Sequence, residues 1–257
     1  MDNKYNLVTI EPTMDLHLGA AHGGADILFG WQAIEIPTGT CSVKTIAATI
    51  AGINGAAANT HDINIYFARS INGVAPTSFG TEHAANAVAT TAAFRRNLIG
   101  FTFVDLSSID DDDIMVGYSV LGARSSSSAD GVADGGYNSY TILQGDPAYP
   151  STKGYQTIWV AATGRGAFDF GTDVDLDMSG HQAASVAPVQ ITVSGTDARL
   201  VFQAGDSIVG HTGTVEAEIV SVDSDVLMTV KNISAQIDHQ EQLIHKNPIT
   251  LNFGLEY

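Results

Sequence analysis

Apolar and polar residues alternate with a period of two along much of this chain, most sharply at 168–178, Phe-Asp-Phe-Gly-Thr-Asp-Val-Asp-Leu-Asp-Met. Phe168, Phe170, Thr172, Val174, Leu176 and Met178 share one parity, while Asp169, Gly171, Asp173, Asp175 and Asp177 share the other. Successive side chains of a strand point to opposite faces, so this stretch reads as a strand with one apolar and one acidic face. The apolar face is expected to seal a sandwich and the acidic face to meet water, a cation or a basic partner.

Other strands recur at short spacing with turn residues between them. Residues 27–36 follow Gly23-Gly24 and end at Pro37-Thr38-Gly39, and 42–53 end at Asn54-Gly55. In 61–70, Ile63, Ile65 and Phe67 oppose Asp62, Asn64 and Tyr66 before Asn72-Gly73 stops the run. Further strands are expected at 97–106, 114–121 and 155–162, all rich in the residue types that a pleated, half-buried surface prefers. Helix is scarce: 81–94, capped by Thr81 and rich in Ala, is the candidate. Residues 16–25 and 124–140 read as long loops suited to contacts with neighbouring subunits.

A change of composition at 180–188 marks an expected boundary. Beyond it come short strands at 189–193, 200–202, 206–209, 215–222 and 226–230, the last two joined as a hairpin at Asp223-Ser224-Asp225. The predicted fold is all-β: an antiparallel β-sandwich of jelly-roll or Ig-like type over 1–180, then a small β-barrel or sandwich over 181–257.

Composition narrows the function classes. Hydrophobic content of 44% with 15% charged residues over 257 positions belongs to a globular chain. The net charge of −17 arises from 11 basic against 28 acidic residues, and Arg95-Arg96 is the one adjacent basic pair. Nucleic acid is therefore not an expected partner, because phosphate binding needs clustered Lys and Arg. No apolar run approaches the ~18 residues of a membrane span. Asp2, Lys4 and Glu11 interrupt any secretory signal, so synthesis and folding in a cytosol are expected. Cys41, the single cysteine, sits in an apolar-rich run and reads as a small buried hydrophobe.

Candidate chemistry is sparse. Asp110, Asp111, Asp112 and Asp113 stand in a row between two strands, where a solvated turn is the first expectation and a Ca²⁺ site the second. Asp173, Asp175 and Asp177 pose a similar choice: solvent first, basic residues of a neighbouring subunit second, metal third. Neither cluster carries an Asp-x-Asp-x-Asp-Gly loop with a downstream Glu, so no metal is expected. His239 and His245 are six apart, which does not match His-Glu-x-x-His. His17, His22, His61 and His211 fall in loops, turns or at a strand start. A Gly-x-Ser-x-Gly elbow and a phosphate-holding Gly-rich loop are both missing. A sugar cleft would use aromatic platforms, whereas Trp31 and Trp159 lie inside strands. No catalytic residue, cofactor or enzymatic activity is expected.

Six short segments recur in one order: Ala25-Asp26-Ile27-Leu28-Phe29, Val43-Lys44-Thr45-Ile46, His61 through Ala68, Leu98-Ile99-Gly100-Phe101, Tyr155 through Ala161, and the acidic strand. This series resembles a family of virion structural proteins of tailed bacteriophages and covers most of 20–180. The second unit, with Ala204-Gly205-Asp206-Ser207-Ile208 and Val215-Glu216-Ala217-Glu218-Ile219, is similar to small barrels appended to such proteins. The chain departs from shorter members by its Ser/Gly-rich insertion at 124–154 and by the second unit. The resemblance implies a capsid decoration or cement protein, made in the host bacterial cytoplasm and located on the virion. It implies docking on the major capsid protein or other virion proteins as a homotrimer or other homo-oligomer, with no nucleic-acid or membrane partner. A tail, neck or fibre component is the alternative within that class. A carbohydrate-binding module or glycan-degrading enzyme is the alternative outside it.

Overall fold

β-Branched and aromatic residues at alternate positions make strands of most of the computed structural model, which describes residues 4–14, 22–50, 62–86, 91–104, 115–120, 141–148, 154–168, 170 and 176–257. In chain order the strands are Tyr5–Ile10 (β1), Ile27–Pro37 (β2), Cys41–Ile50 (β3), Ile63–Ala68 (β4), Leu98–Val104 (β5), Met115–Val120 (β6), Thr141–Leu143 (β7) and Tyr155–Gly164 (β8). Then follow Leu176–Met178 (β9), Val189–Gly195 (β10), Ser207–Gly210 (β11), Glu216–Val222 (β12), Leu227–Lys231 (β13), Leu243–His245 (β14) and Ile249–Glu256 (β15). Two short helices, Ala92–Asn97 (α1) and Ala198–Val201 (α2), complete the set. Every strand pairing among the described residues is antiparallel.

One sheet runs β1-β15-β3-β6, with β7 sharing the β6 side of β3, and a second runs β2-β8-β4-β5. Leaving β7 and β9 to β14 aside, these strands divide between the two sheets in the order of a double-sheet jelly roll. The Ig-like alternative, whose sheets group the strands differently, is thereby set aside. Parity explains the packing. Ile46, Ala48 and Ile50 of β3, Ile63, Ile65 and Phe67 of β4, and Leu251 and Phe253 of β15 all point inward and are fully buried. The Phe67 and Phe253 rings meet edge to face across the two sheets, with centroids 5.7 Å apart.

A third sheet, β14-β11-β12-β13-β10-β9, curls nearly into a barrel. Its ends approach where the Met178 N–H donates to the Glu241 carbonyl at 3.0 Å and the Gln240 N–H donates to the Met178 carbonyl at 2.9 Å. Curling in this way hides sheet edges that would otherwise stand open. The interior is filled by Ile191, Val193, Ile208, Ile219, Met228, Val230 and Ile237, all buried. The expected hairpin is present: Asp223 and Ser224 both donate their N–H groups to the Leu227 carbonyl, at 2.8 and 3.1 Å.

Several expectations change. The last strand does not stay with the second unit: β15 lies between β1 and β3, so the barrel is inserted ahead of the final sandwich strand. The cause is again parity, because Ile249, Leu251, Phe253 and Leu255 supply a four-residue apolar face that the sandwich buries. The 168–178 segment is divided between the two units. Phe168 pairs with His22 at an end of the sandwich, while Leu176–Met178 forms the rim strand of the barrel. Residues 81–86 are turn and extended chain, with His83 at φ 58°, and the helix among the described residues of this stretch is Ala92–Asn97. Thr91 caps it by accepting from the Phe94 N–H at 3.2 Å, and Phe94 is then buried with Phe79 against Trp31 and Tyr66. At 198–201 a helical turn replaces the expected strand, because the Asp197 carboxylate accepts from the Arg199 N–H and caps it.

Candidate docking surfaces

The acidic clusters come first. Asp110, Asp111, Asp112, Asp113, Asp173 and Asp175 lie outside the described residues. Asp177 sits half-buried at the centre of β9, with its backbone paired to Ser194 and bridged to Gln242. Among the described residues no three His, Cys, Asp or Glu side chains come together in a way that could hold a metal ion. Nor, among them, is any helix long and apolar enough to cross a membrane.

The histidines divide. His17 and His61 fall outside the described residues. His22 is buried, with its ring stacked on His83 at 3.8 Å between centroids and the Phe170 ring edge-on at 5.6 Å. His181 meets Asp238 at 3.2 Å on the barrel surface and receives the His239 N–H at 3.3 Å. His211 sits in the turn after β11, its N–H donating to the Gln242 carbonyl. Cys41 is fully buried, and burial pushes its thiol up from the ordinary cysteine range. Trp31 and Trp159 donate their indole N–H groups to the Thr77 carbonyl and the Ser70 hydroxyl, fixing the 69–80 segment over the second sheet.

Where barrel meets sandwich there is an open cleft of about 370 Å³. On the barrel side it is lined by Arg199, Leu200, Phe202, Asp206 and His245, and on the sandwich side by Glu11, Thr49 and Thr250. On the barrel side its charged groups are already engaged. Arg199 is held by Asp197 through two guanidinium bonds of 2.9 and 2.7 Å, and this pairing keeps the Asp197 carboxyl below its usual range. The His245 ring contacts the Val201 carbonyl through Nε2 at 2.5 Å and lies 3.8 Å from Asp206 through Nδ1. The arrangement ties α2 to β14 and to the turn before β11, while Asn247, which also lines the cleft, donates its Nδ2 to the Glu11 carbonyl and leaves its buried Oδ1 without a partner among the described residues.

The outer face of the first sheet is different in kind. Tyr5, Leu7 and Thr9 of β1, Thr250, Asn252 and Gly254 of β15, and Thr45, Ala47 and Thr49 of β3 face outward side by side, in register. None of these nine is charged, and Lys44 and Glu256, at the end of the same face, pair with each other. Gly254 lies between Leu7 and Thr45, where a Cβ would run into the Thr45 hydroxyl, so the centre of the wall stays flat. Tyr5 and Leu7 are 71% and 66% exposed. In a chain of net charge −17 this wall is nearly free of charge. Sequence reasoning passed over β1 because Tyr5, Leu7, Val8 and Ile10 place apolar residues on both parities. The signal that could have found it is a run of six uncharged residues without Pro or Gly.

No family model matches the chain, and no curated protein matches it. Among solved structures it is similar to the crystal structure of the infectious bursal disease virus VP2 subviral particle, at 8% sequence identity and a TM-score of 0.20. The match covers 99% of this chain and 41% of that one, so the chain spans less than half the length of that neighbour. A likeness that loose carries no argument about fold or function.

Proposed function

We propose that this chain is a non-enzymatic structural protein of a tailed-phage virion, a capsid decoration or cement protein that sits on the outside of the head and stabilises it. The observation that carries the proposal is a jelly roll with one flat wall almost free of charge and a second β-unit inserted before its last strand. Such a molecule has a broad face to lay against a repetitive surface and a separate unit to present elsewhere. Five of the six segments that resemble virion proteins fall on β2, β3, β4, β5 and β8, the frame of the sandwich. Fold-level support of this kind is analogy, because jelly rolls also serve other functions. In this reading the partners are the major capsid protein and further copies of the chain, clustered as a trimer or another closed oligomer. Symmetry would then multiply contacts that are individually weak.

The test is reconstitution. Purified protein added to heads stripped of it should rebind and raise the temperature at which they open. Failure to rebind, or rebinding at about a dozen copies or fewer per particle as a tail component would, refutes the cement assignment.

A further inference from the structure

Among the described residues, the outer edge of β1 carries a pairing code that no strand uses. The Lys4 N–H donates to the Tyr257 carbonyl at 3.2 Å, and the Tyr257 N–H returns to the Lys4 carbonyl at 3.0 Å. In an antiparallel ladder the hydrogen-bonded pairs alternate, so Asn6, Val8 and Ile10 exchange their bonds with β15. Tyr5, Leu7 and Thr9 therefore aim their N–H and C=O groups away from the sheet, and among the described residues no strand pairs with that side. The guards that natural edges use against pairing are Lys, Pro, a bulge or an inward charge, and Tyr5–Ile10 has none of them.

Two arguments select the occupant. The first is hydrogen-bond geometry: only an extended strand can take a row of alternating donors and acceptors, and an outward residue can face only another outward residue. The second is charge. Copies of a −17 chain repel, so they can meet closely only through a surface poor in carboxylates, and the wall flanking β1 is such a surface.

We propose that two copies of this chain join edge to edge through β1, antiparallel about a two-fold axis at Leu7, merging their outer walls into one continuous sheet. With all three outward residues engaged, Leu7 faces Leu7 of the second copy and Tyr5 faces Thr9. Every such cross-strand pair is uncharged, and the central one is apolar on both sides. The inference deepens the assembly reading above by naming one contact between copies, and it can fail without that reading failing.

The experiment uses the full chain in solution. Sedimentation across a wide concentration range should show a monomer–dimer equilibrium. Leu7→Lys sets two like charges face to face, and Thr9→Pro removes an outward N–H without touching the β15 ladder. Each should raise the dimer Kd by about tenfold or more, the equivalent of about 1.4 kcal/mol, with circular dichroism unchanged. Val74→Lys, at a position 68% exposed in the turn after β4, should leave Kd as it is. Leu7→Cys should give a disulfide-linked dimer under mild oxidation. Tyr5→Cys should not, because the two-fold keeps residues 5 roughly 14 Å apart along the strands. A chain that stays monomeric, association indifferent to both edge variants, or crosslinking through position 5 as fast as through 7 would each overturn the proposal. A Leu7→Lys protein that is monomeric yet still rebinds stripped heads supports the pairing and leaves the cement reading intact.

Discussion

Phe253→Ala tests the finding that the chain's last strand belongs to the sandwich. Phe253 is fully buried at the middle of β15, with its ring against Phe67 of the opposite sheet. Removing a buried phenyl ring costs about 3–5 kcal/mol, through lost transfer energy and the cavity left behind. That is a large part of the roughly 5–15 kcal/mol that holds a domain together. It should lower the sandwich melting temperature by on the order of 10 °C. The assay follows from where the fluorophores sit. Trp31 and Trp159 are the two tryptophans and both lie in sandwich strands, while 176–248 contains neither Trp nor Tyr. Indole fluorescence during urea unfolding therefore reports the sandwich alone, and far-ultraviolet circular dichroism reports both units. The expected result is a Trp-monitored midpoint shifted by the full amount. If the Trp transition moves by less than about 1 kcal/mol while a Trp-silent transition moves instead, β15 stabilises the barrel and the topology argued above is wrong.

Two further predictions concern titration. Asp197, Glu218, Asp223 and Asp238 all lie in the barrel unit, and each is held below its usual range by hydrogen bonds: from Arg199; from Lys231 and Asn232; from Ser221, Thr229 and Gln190; and from Gln236 and His181. Each binds its proton more weakly folded than unfolded, so the stabilisation is full above the unfolded carboxyl value of about 4 and is lost as pH falls through the lower folded values. Backbone amide spectra on acidification should show barrel resonances broadening or shifting before sandwich ones; simultaneous loss would contradict this. Cys41 is buried, its thiol is pushed upward by desolvation, and its Sγ lies 3.4 Å from the Pro37 carbonyl oxygen. Alkylation at mildly alkaline pH should thus run more than about a thousandfold slower than in denaturant, and it should follow the Trp-monitored opening rate or population.

How far the fold could be read from the chain depends on what each residue's neighbours demand. Ile63, Ile65 and Phe67 alternate with polar partners, and their strand lies within the expected range with the expected face inward. The same holds for 27–36 and 155–162, where local pattern and tertiary burial agree. Ala-rich 81–94 misled because propensity is a weak prior: 81–86 are turn and extended chain, the described helix starts only after its Thr91 cap, and Phe94 is committed to joining Phe79 over Trp31 and Tyr66. The return of β15 was hidden for a different reason. The alternation at 249–256 is as regular as any in the chain, but parity says which face is buried and not which strand will bury it. Pairing β15 with Tyr5–Ile10, at the far end of the sequence, is a non-local choice that no window of residues contains. The docking wall was obscured likewise, since its flatness depends on Gly254 standing between Leu7 and Thr45 from two other strands.

The insertion of the barrel also fixes how the molecule would carry a mechanical load. The chain leaves the sandwich from the end of β8 and returns at the start of β15, and these strands lie in opposite sheets, each flanked on both sides. A pull on the barrel is thus shared between two interior strands, and its component along their axes is borne in shear. The hydrogen bonds that resist it lie crosswise to the strands, so many must give together and none can be unzipped from a free edge. A unit tethered in this way can be dragged hard by its surroundings while the sandwich beneath it holds its shape.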